Sequence, residues 1–190
     1  MVNGKQGNIV VGIADNRVFV KVEGKGTHLI SHPLTRFTSE VINRGFGEFI
    51  VDLADCSSMD STFLGVIAGI GLRLMPANGH VHLANLNPRC REVVASLGID
   101  RLSTVDFCDL RATAPNGDVQ PQPAELQPLA TPQPVPGDTE AKASHAEIMI
   151  EAHRTLMQID PRNVPKFKDC VRFLAEDLEK LRASQKNPNS

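Results

Sequence analysis

A serine, a threonine and an aspartate lie together where an apolar strand gives way to an apolar helix. The segment VDLADCSSMDSTFLGV, residues 51–66, leaves a β-branched run, passes through small polar residues and becomes apolar again at helical spacing. Asp60 is placed to cap this helix, which leaves Ser61 and Thr62 in its first turn. Free backbone N–H groups and the positive end of the helix dipole favour negative charge there. A phosphoryl group on either hydroxyl is therefore compatible with this junction.

The same segment resembles the signature of STAS domains of the anti-sigma factor antagonist type. In that family a strand and Met-Asp-Ser-Ser/Thr are followed, one residue later, by the Leu-Gly of the second helix. The chain matches this pattern with the run from Met59 to Thr62 and with Leu64 and Gly65. The resemblance covers roughly the first 110 residues, one ordinary domain length. It implies the STAS fold, Ser61 as the phosphoacceptor and Thr62 as the second choice.

The resemblance also implies a partner and a switch. The partner is an anti-sigma factor or related serine kinase, and a phosphatase would reverse the modification. Unmodified protein would bind the partner and phosphorylated protein would release it, because a phosphate adds roughly −1.5 to −2 charges to the docked surface. The chain has no phosphate-cradling Gly-x-x-x-x-Gly-Lys-Ser/Thr loop, which predicts a substrate and binder without catalytic residues or cofactor.

The predicted partner-binding residues surround the phosphoacceptor. Asp60 would orient the loop, and Phe63, Leu64 and Gly65 would provide contact surface with the exposed face of the helix. Phe63 replaces the small Gly usual in the family, and Thr27 falls where antagonists carry an Asp. A different partner, or binding without phosphorylation, therefore stays open as an alternative.

Two further function classes remain open. One is a scaffold or subunit of a stressosome-like or ABC-transporter-associated complex, which would use the STAS-like domain and the C-terminal helices without phosphorylation. The other is a small enzyme that uses Cys56 or Ser61 as a nucleophile. No Gly-x-Ser-x-Gly elbow surrounds Ser61, which argues against a serine hydrolase.

Composition excludes several kinds of partner. The 190 residues carry a net charge of −2 and contain neither Trp nor Tyr, which argues against nucleic-acid binding. No signal-peptide core or membrane-spanning run is visible, so we expect a cytoplasmic protein without membrane insertion. The four cysteines are widely spaced, which predicts reduced packing residues. His80 and His82 share a strand face, but no third ligand lies nearby in sequence, so no metal site is predicted.

The pattern of elements predicts an α/β domain over residues 1–111. Residues 9–14 and 17–22 read as a hairpin, and a helix is predicted from His32 to Arg44, ending at Gly45. The order β-β-α-β-α-β-α-β predicts a mixed sheet, because the hairpin is antiparallel and strands separated by helices are usually parallel. Residues 55–60 are predicted as a turn. This order agrees with the STAS fold that the signature implies.

The rest of the chain is predicted to form a linker and a helical hairpin. Residues 112–138 are rich in Pro and Gln, which indicates a semi-rigid, solvated linker. Residues 139–190 carry two apolar seams typical of a helix pair, namely Ile148, Ala152, Leu156 and Ile159, then Phe167, Val171, Leu174, Leu178 and Leu181. His145 and His153, in the first of these helices, are expected on a solvated face. This hairpin needs the STAS-like sheet, a second copy or another protein to cover it. If it covers Ser61 the protein is autoinhibited, whereas a distant hairpin would be a separate dimerisation or docking element.

Overall fold

A β-hairpin opens the fold. The computed structural model describes residues 7–110, 125–130 and 138–186. Strands β1 (Asn8–Ala14) and β2 (Arg17–Gly26) pair in antiparallel register, with Val11 opposite Val20. Asp15 and Asn16 connect them with positive φ angles of 48° and 61°. Such angles at both central positions suit the twist of a two-residue hairpin turn, in which Asp and Asn are favoured.

Parallel strands extend the sheet from β2. They are β3 (Glu48–Asp52), β5 (His80–Ala84) and β6 (Val105–Cys108). With the short edge strand β7 (Gln127–Pro128), the order across the sheet is β6-β5-β3-β2-β1-β7. Strand β4 (Cys56–Met59) pairs in parallel with the far end of β2, between Gly24 and Gly26. The predicted mixed α/β sheet is confirmed. The predicted turn over residues 55–60 is wrong, because β2 runs four residues further than expected and offers Cys56–Met59 a partner.

Three helices accompany the sheet strands. They are α1 (His28–Asn43), α2 (Ser61–Leu74) and α3 (Pro88–Ser96). Helix α1 begins four residues before the predicted start at His32, and Pro33 lies inside it. The physical reason is tertiary: the Asp60 carboxylate accepts a hydrogen bond from the His28 backbone N–H at 2.9 Å and so fixes the earlier start. The predicted end holds, since Gly45 follows α1 with a φ of 94°.

The predicted C-terminal helix pair is also present. Helices α4 (Thr139–Ile159) and α5 (Val164–Lys186) are joined by a short 3₁₀ turn, Pro161–Asn163. Helix α4 lies across α1 and α2, so the molecule has three layers: the sheet, the helices α1 and α2, and the α4–α5 hairpin. Of the arrangements that the sequence left open, cover by the sheet is not what is observed, because the hairpin packs mainly on α1 and α2, which lie between it and the sheet.

The predicted linker is described only in part. Residues 112–124 and 131–137 of the predicted linker lie outside the described residues. Within residues 125–130, strand β7 (Gln127–Pro128) pairs with β1, and Leu129 packs against the main core. This short piece therefore belongs to the sheet edge, unlike the solvated tether that its composition predicts. Proline is compatible with an edge strand because one side of such a strand needs no hydrogen-bond donor.

The main core lies between the sheet and the helices. Helix α2 is buried on almost every side because the sheet packs on one face and α4 on the other. A helix that is apolar all round requires such two-sided cover. None of the helices in the described ranges is long and apolar enough to cross a membrane. The largest fully buried side chains are Ile9, Ile30, Leu34, Phe49, Leu53, Phe63, Leu64, Ile67, Leu74, Leu83, Ile99 and Leu156.

Candidate functional site

Asp60 ties the starts of two helices together. Its carboxylate accepts hydrogen bonds from the backbone N–H of Phe63 in α2 at 2.8 Å and of His28 in α1 at 2.9 Å. The first bond is the predicted N-cap, and the second was not visible in the sequence because the partner lies 32 residues away. Asp60 thereby fixes the position of Ser61, the first residue of α2, relative to α1.

Ser61 contacts the C-terminal hairpin. Its Oγ lies 2.9 Å from Nε2 of His153 in α4. The other ring nitrogen of His153, Nδ1, lies 2.7 Å from the carbonyl oxygen of Met149, which can only accept a hydrogen bond. In the neutral ring Nδ1 therefore carries the hydrogen, and the Ser61 hydroxyl donates to Nε2.

The position of His153 differs from the predicted solvated face. Its side chain is 4% exposed and packs on the Phe167 ring, with 4.8 Å between the ring centroids. The prediction was wrong because α4 uses two adjacent faces, one toward α2 and one toward α5. A serine donating to an oriented histidine is the pairing of a base-activated nucleophile. Here the histidine is buried between helices, so in this conformation the pair joins α2 to α4 and presents no open nucleophile.

The other predicted contact residues point inward. Thr62, Phe63 and Leu64 are 3%, 0% and 1% exposed, and the Phe63 ring packs against Gly26. Thr62 therefore has no accessible hydroxyl. Phe63 and Leu64 cannot supply contact surface in this conformation, because the first turn of α2 is inserted between the sheet and α4. Of the predicted set, Asp60 and Ser61 are the residues that keep partly exposed positions.

Gly65 marks the closest approach of α2 to α4. A Cβ added to Gly65 would lie 2.4 Å from the Ala152 carbonyl oxygen and 2.7 Å from the Ala152 Cβ. These distances are far below van der Waals contact, so the crossing requires glycine on α2. The predicted partner-binding role of Gly65 is thus replaced, in this conformation, by an intramolecular contact.

A second histidine pair joins α1 to α4. The ring of His32 stacks on that of His145 with 5.3 Å between centroids, and His32 Nε2 lies 2.9 Å from Ser144 Oγ. His32 Nδ1 is buried without a hydrogen-bond partner among the described residues. Burial, reinforced by the neighbouring His145 and Arg36, lowers the pKa of His32 from its ordinary value. The docked hairpin therefore favours a neutral His32.

This histidine predicts that docking of the hairpin weakens in acid. The undocked or unfolded chain has the ordinary His32 pKa and so binds the proton first, which means that stability is complete above about pH 6.5 and falls below it. We expect denaturant unfolding to show lower stability at about pH 5.5 than at about pH 7.5. The fall should be smaller in the His32→Gln variant. An equal fall in both proteins would contradict this role of His32.

The remaining sequence candidates show no activated chemistry. Cys56 is buried, and burial with the nearby Cys90 raises the pKa of its thiol to about 11, the opposite of an activated nucleophile. His80 lies 3.1 Å from Asp106, and His82 lies 3.1 Å from Glu48. Within the ranges that the structure covers, no group of His, Cys, Asp or Glu is arranged to hold a metal ion.

Sequence reasoning placed Ala152 on an apolar seam but missed the roles of His145 and His153 in the site. The two histidines gave no motif, because their partners lie on helices more than 80 residues earlier in the chain. A usable signal was present in α2, which is apolar on all faces and contains Gly65 and Gly69 one turn apart. Such a helix needs a second covering layer, and the small residues indicate where another helix approaches closely.

Comparisons with known proteins identify the family of residues 9–106. The family model described as "Mlab, STAS domain" matches residues 9–106, slightly more than half of the 190 residues. The anti-sigma factor antagonist SpoIIAA in its unphosphorylated form is 20% identical, with 53% of this chain and 86% of that chain covered and a TM-score of 0.48. The phosphorylated form of the Bacillus cell fate determinant SpoIIAA is 21% identical, with 54% of this chain and 89% of that chain covered and a TM-score of 0.45. An anti-sigma factor antagonist from Mycobacterium paratuberculosis is 18% identical, with 53% of this chain and 86% of that chain covered and a TM-score of 0.47. A comparison with curated proteins found no match.

Proposed function

Since the chain belongs to the family described as "Mlab, STAS domain", we propose that it is a protein-binding regulatory module of the anti-sigma factor antagonist type. Its partner is an anti-sigma factor or related serine kinase, and a phosphatase resets it. Phosphorylation of Ser61 switches binding off. The module acts by binding and release, and the partner supplies the catalytic chemistry.

The observation that carries this proposal is the position of Ser61 at the first residue of α2. Asp60 has already satisfied the Phe63 N–H at 2.8 Å, and the positive end of the helix dipole remains next to the Ser61 hydroxyl. A phosphate there is stabilised by the helix. The phosphate charge would also weaken the binding of any apolar surface docked over Ser61, because a buried dianion without a partner is strongly unfavourable.

The direct test is the mass of the intact protein purified from its own cells under growth, starvation and stress. We expect one added phosphoryl group, located on Ser61 by peptide fragmentation, in at least one condition. The Ser61→Ala variant should lose it, whereas the matched Thr62→Val variant should keep it because Thr62 is 3% exposed. Ser61→Ala should retain its partner under phosphorylating conditions and Ser61→Glu should bind it more weakly, by about tenfold or more if the charge is desolvated.

Two outcomes would oppose the proposal. A phosphate that persists in the Ser61→Ala variant would place the modification elsewhere. Equal partner binding by Ser61→Ala and Ser61→Glu would remove the switch.

A second candidate function is a scaffold or complex subunit that works without phosphorylation. In this role the protein would form a homodimer through its C-terminal helices. It is favoured by Phe173, which is 56% exposed on α5. An aromatic ring of this size on a helix surface is typical of an interface residue. Absence of phosphate in all three growth conditions would make this constitutive role the better proposal.

A further inference from the structure

The C-terminal hairpin has two apolar faces that belong to different clusters. The first face joins α4 to α5 and forms a small cluster of its own, consisting of Ala143, Ile150, Val171 and Leu178, with Ala146, Met157, Leu174 and Ala175 packed against it. The second face, with Ala152 and Leu156 at its centre, packs on the main core. Because the two clusters are separate, α4 and α5 can stay paired when the second face leaves its partner.

The surface beneath α4 is a shallow groove between α1 and α2. Ser61, Gly65 and Gly69 follow one another at intervals of four and line one wall, and Thr35 and Thr38 of α1 face them. A cavity of about 40 Å³ remains between this groove and α4. We name this surface the α1–α2 groove. Two apolar side chains of α2 complete the lining. The small residues let a helix approach closely, and the hydroxyl groups tolerate water better than the apolar face of α2 that meets the sheet.

The contacts that hold the hairpin in place are polar at several points. The Ser61–His153 and His32–Ser144 pairs cross the α1–α2 groove, and outside the groove the turn after α4 meets the end of α3, where the amide of Asn163 donates to the Leu97 carbonyl oxygen at 2.9 Å and Asp160 pairs with Arg101 at 3.3 Å. Each of these groups can exchange its protein partner for water. The net loss per hydrogen bond is then only about 0.5–1.5 kcal/mol. Such an interface is more readily replaced than an all-apolar one.

We propose that the α1–α2 groove is a helix-docking surface that the hairpin of this chain occupies, and that a protein partner reaches Ser61 by replacing α4 with an amphipathic helix of its own. The partner helix carries a small residue opposite Gly65, since that crossing has no room for more. The hairpin is thus an intramolecular competitor of the partner. The role of this competition in regulation rests on the proposed function. The docking of a helix in the groove does not depend on that function.

Access to Ser61 follows from the same geometry. The Ser61 Oγ is 2.9 Å from a nitrogen of the buried His153, so a phosphoryl group on Oγ would need the space that this ring fills. Helix α4 cannot shift locally along α2 to make room, because Gly65 and Ala152 are already in closest contact. Modification of Ser61 Oγ therefore requires that its hydrogen bond to His153 break, which displacement of the hairpin achieves.

The test uses full-length proteins and a fluorescently labelled synthetic peptide of residues 138–186. In the Ala152→Leu variant the larger side chain weakens docking of the protein's own hairpin at the Gly65 crossing. Ile148→Asp, on the same face of α4, is the second of these two opened variants. Ala183→Leu is the matched control, since the same substitution falls on an exposed position of α5. The docked hairpin acts at an effective concentration near the millimolar range, which keeps the wild-type groove filled against micromolar peptide.

The expected result is at least tenfold tighter peptide binding to Ala152→Leu than to wild type or Ala183→Leu. The same peptide carrying Ala152→Leu should bind none of them. Equal binding to wild type and to both opened variants would overturn the proposal. So would loss of hydrogen-exchange protection in β3 and β5 in both opened variants, since the hairpin would then be inseparable from the core. Phosphorylation of Ser61 is measured separately. If only the phosphate is absent, the proposed function is opposed and the helix-docking role of the groove is not.

Discussion

Replacing Gly65 with alanine is expected to separate the C-terminal hairpin from α2. The new methyl group would lie 2.4 Å from the Ala152 carbonyl oxygen, a backbone atom that no change of rotamer can move. Overpacking of this kind destabilises by about 1–3 kcal/mol. In a helix interior alanine otherwise gains about 1 kcal/mol over glycine, so a net loss of stability would mean that the clash outweighs this gain. The measurement is denaturant unfolding together with hydrogen exchange of the amides of α4.

Gly69 supplies the matched control, because it lies one turn further along the same helix. A Cβ added there meets no atom within 4 Å, and the residue lines the cavity of about 40 Å³ under α4. Gly69→Ala should therefore raise stability by about 0.5–1 kcal/mol through helix propensity. Opposite signs for the two substitutions would confirm the close crossing at Gly65. Stabilisation by both would show that α4 does not approach α2 as closely as described.

Truncating Leu156 to alanine is expected to destabilise the whole protein by about 2–5 kcal/mol. Its side chain is 0% exposed and belongs to the main core together with residues of the sheet and of α2. The cavity left behind would be bordered by two layers, so the surroundings can collapse little. We expect a lower midpoint of denaturant unfolding and faster hydrogen exchange in both α2 and α4.

Leu178 on α5 provides the comparison, because the same substitution falls in the separate hairpin cluster. Leu178 is 7% exposed and packs with Ala143, Ile150 and Val171. Leu178→Ala should loosen α5 against α4 while hydrogen exchange in α2 stays close to that of the wild type. If Leu178→Ala instead exposed α2 as strongly as Leu156→Ala, the two apolar clusters would be one cooperative unit, and displacement of an intact hairpin would lose its basis.

The scaffold alternative by itself predicts that deleting residues 139–190 abolishes assembly and leaves the STAS-like fold intact. The structure places Ala152 and Leu156 in the main core, so such a deletion would uncover the groove side of α2. Substitutions on the outer face of α5, where Phe173 is 56% exposed, are the better way to test assembly.

Much of the fold was predictable because its signals are local. The period of two in β1 and β2, the apolar run of β3 and the cap at Asp60 each depend on residues close in sequence. The STAS resemblance rested on the same local run, and the family match over residues 9–106 agrees with it. Two errors in the predicted elements, the missed strand β4 and the late start of α1, have a common cause. Both features are set by partners about 30 residues away.

The sequence by itself determined the order of elements except β4 and β7, the helix cap at Asp60, the position of Ser61 in the first turn of α2 and the two apolar seams of the hairpin. Only the tertiary structure decided what those seams cover. The periodicity of α4 shows that one face is apolar, but whether it meets the sheet, a second copy or α2 depends on matching shapes between distant segments. That match lies in the contact of Gly65 with Ala152 and the hydrogen bond from Ser61 to His153. Neither leaves a pattern in a single sequence, because close packing between remote helices is a property of their surfaces and not of residue spacing.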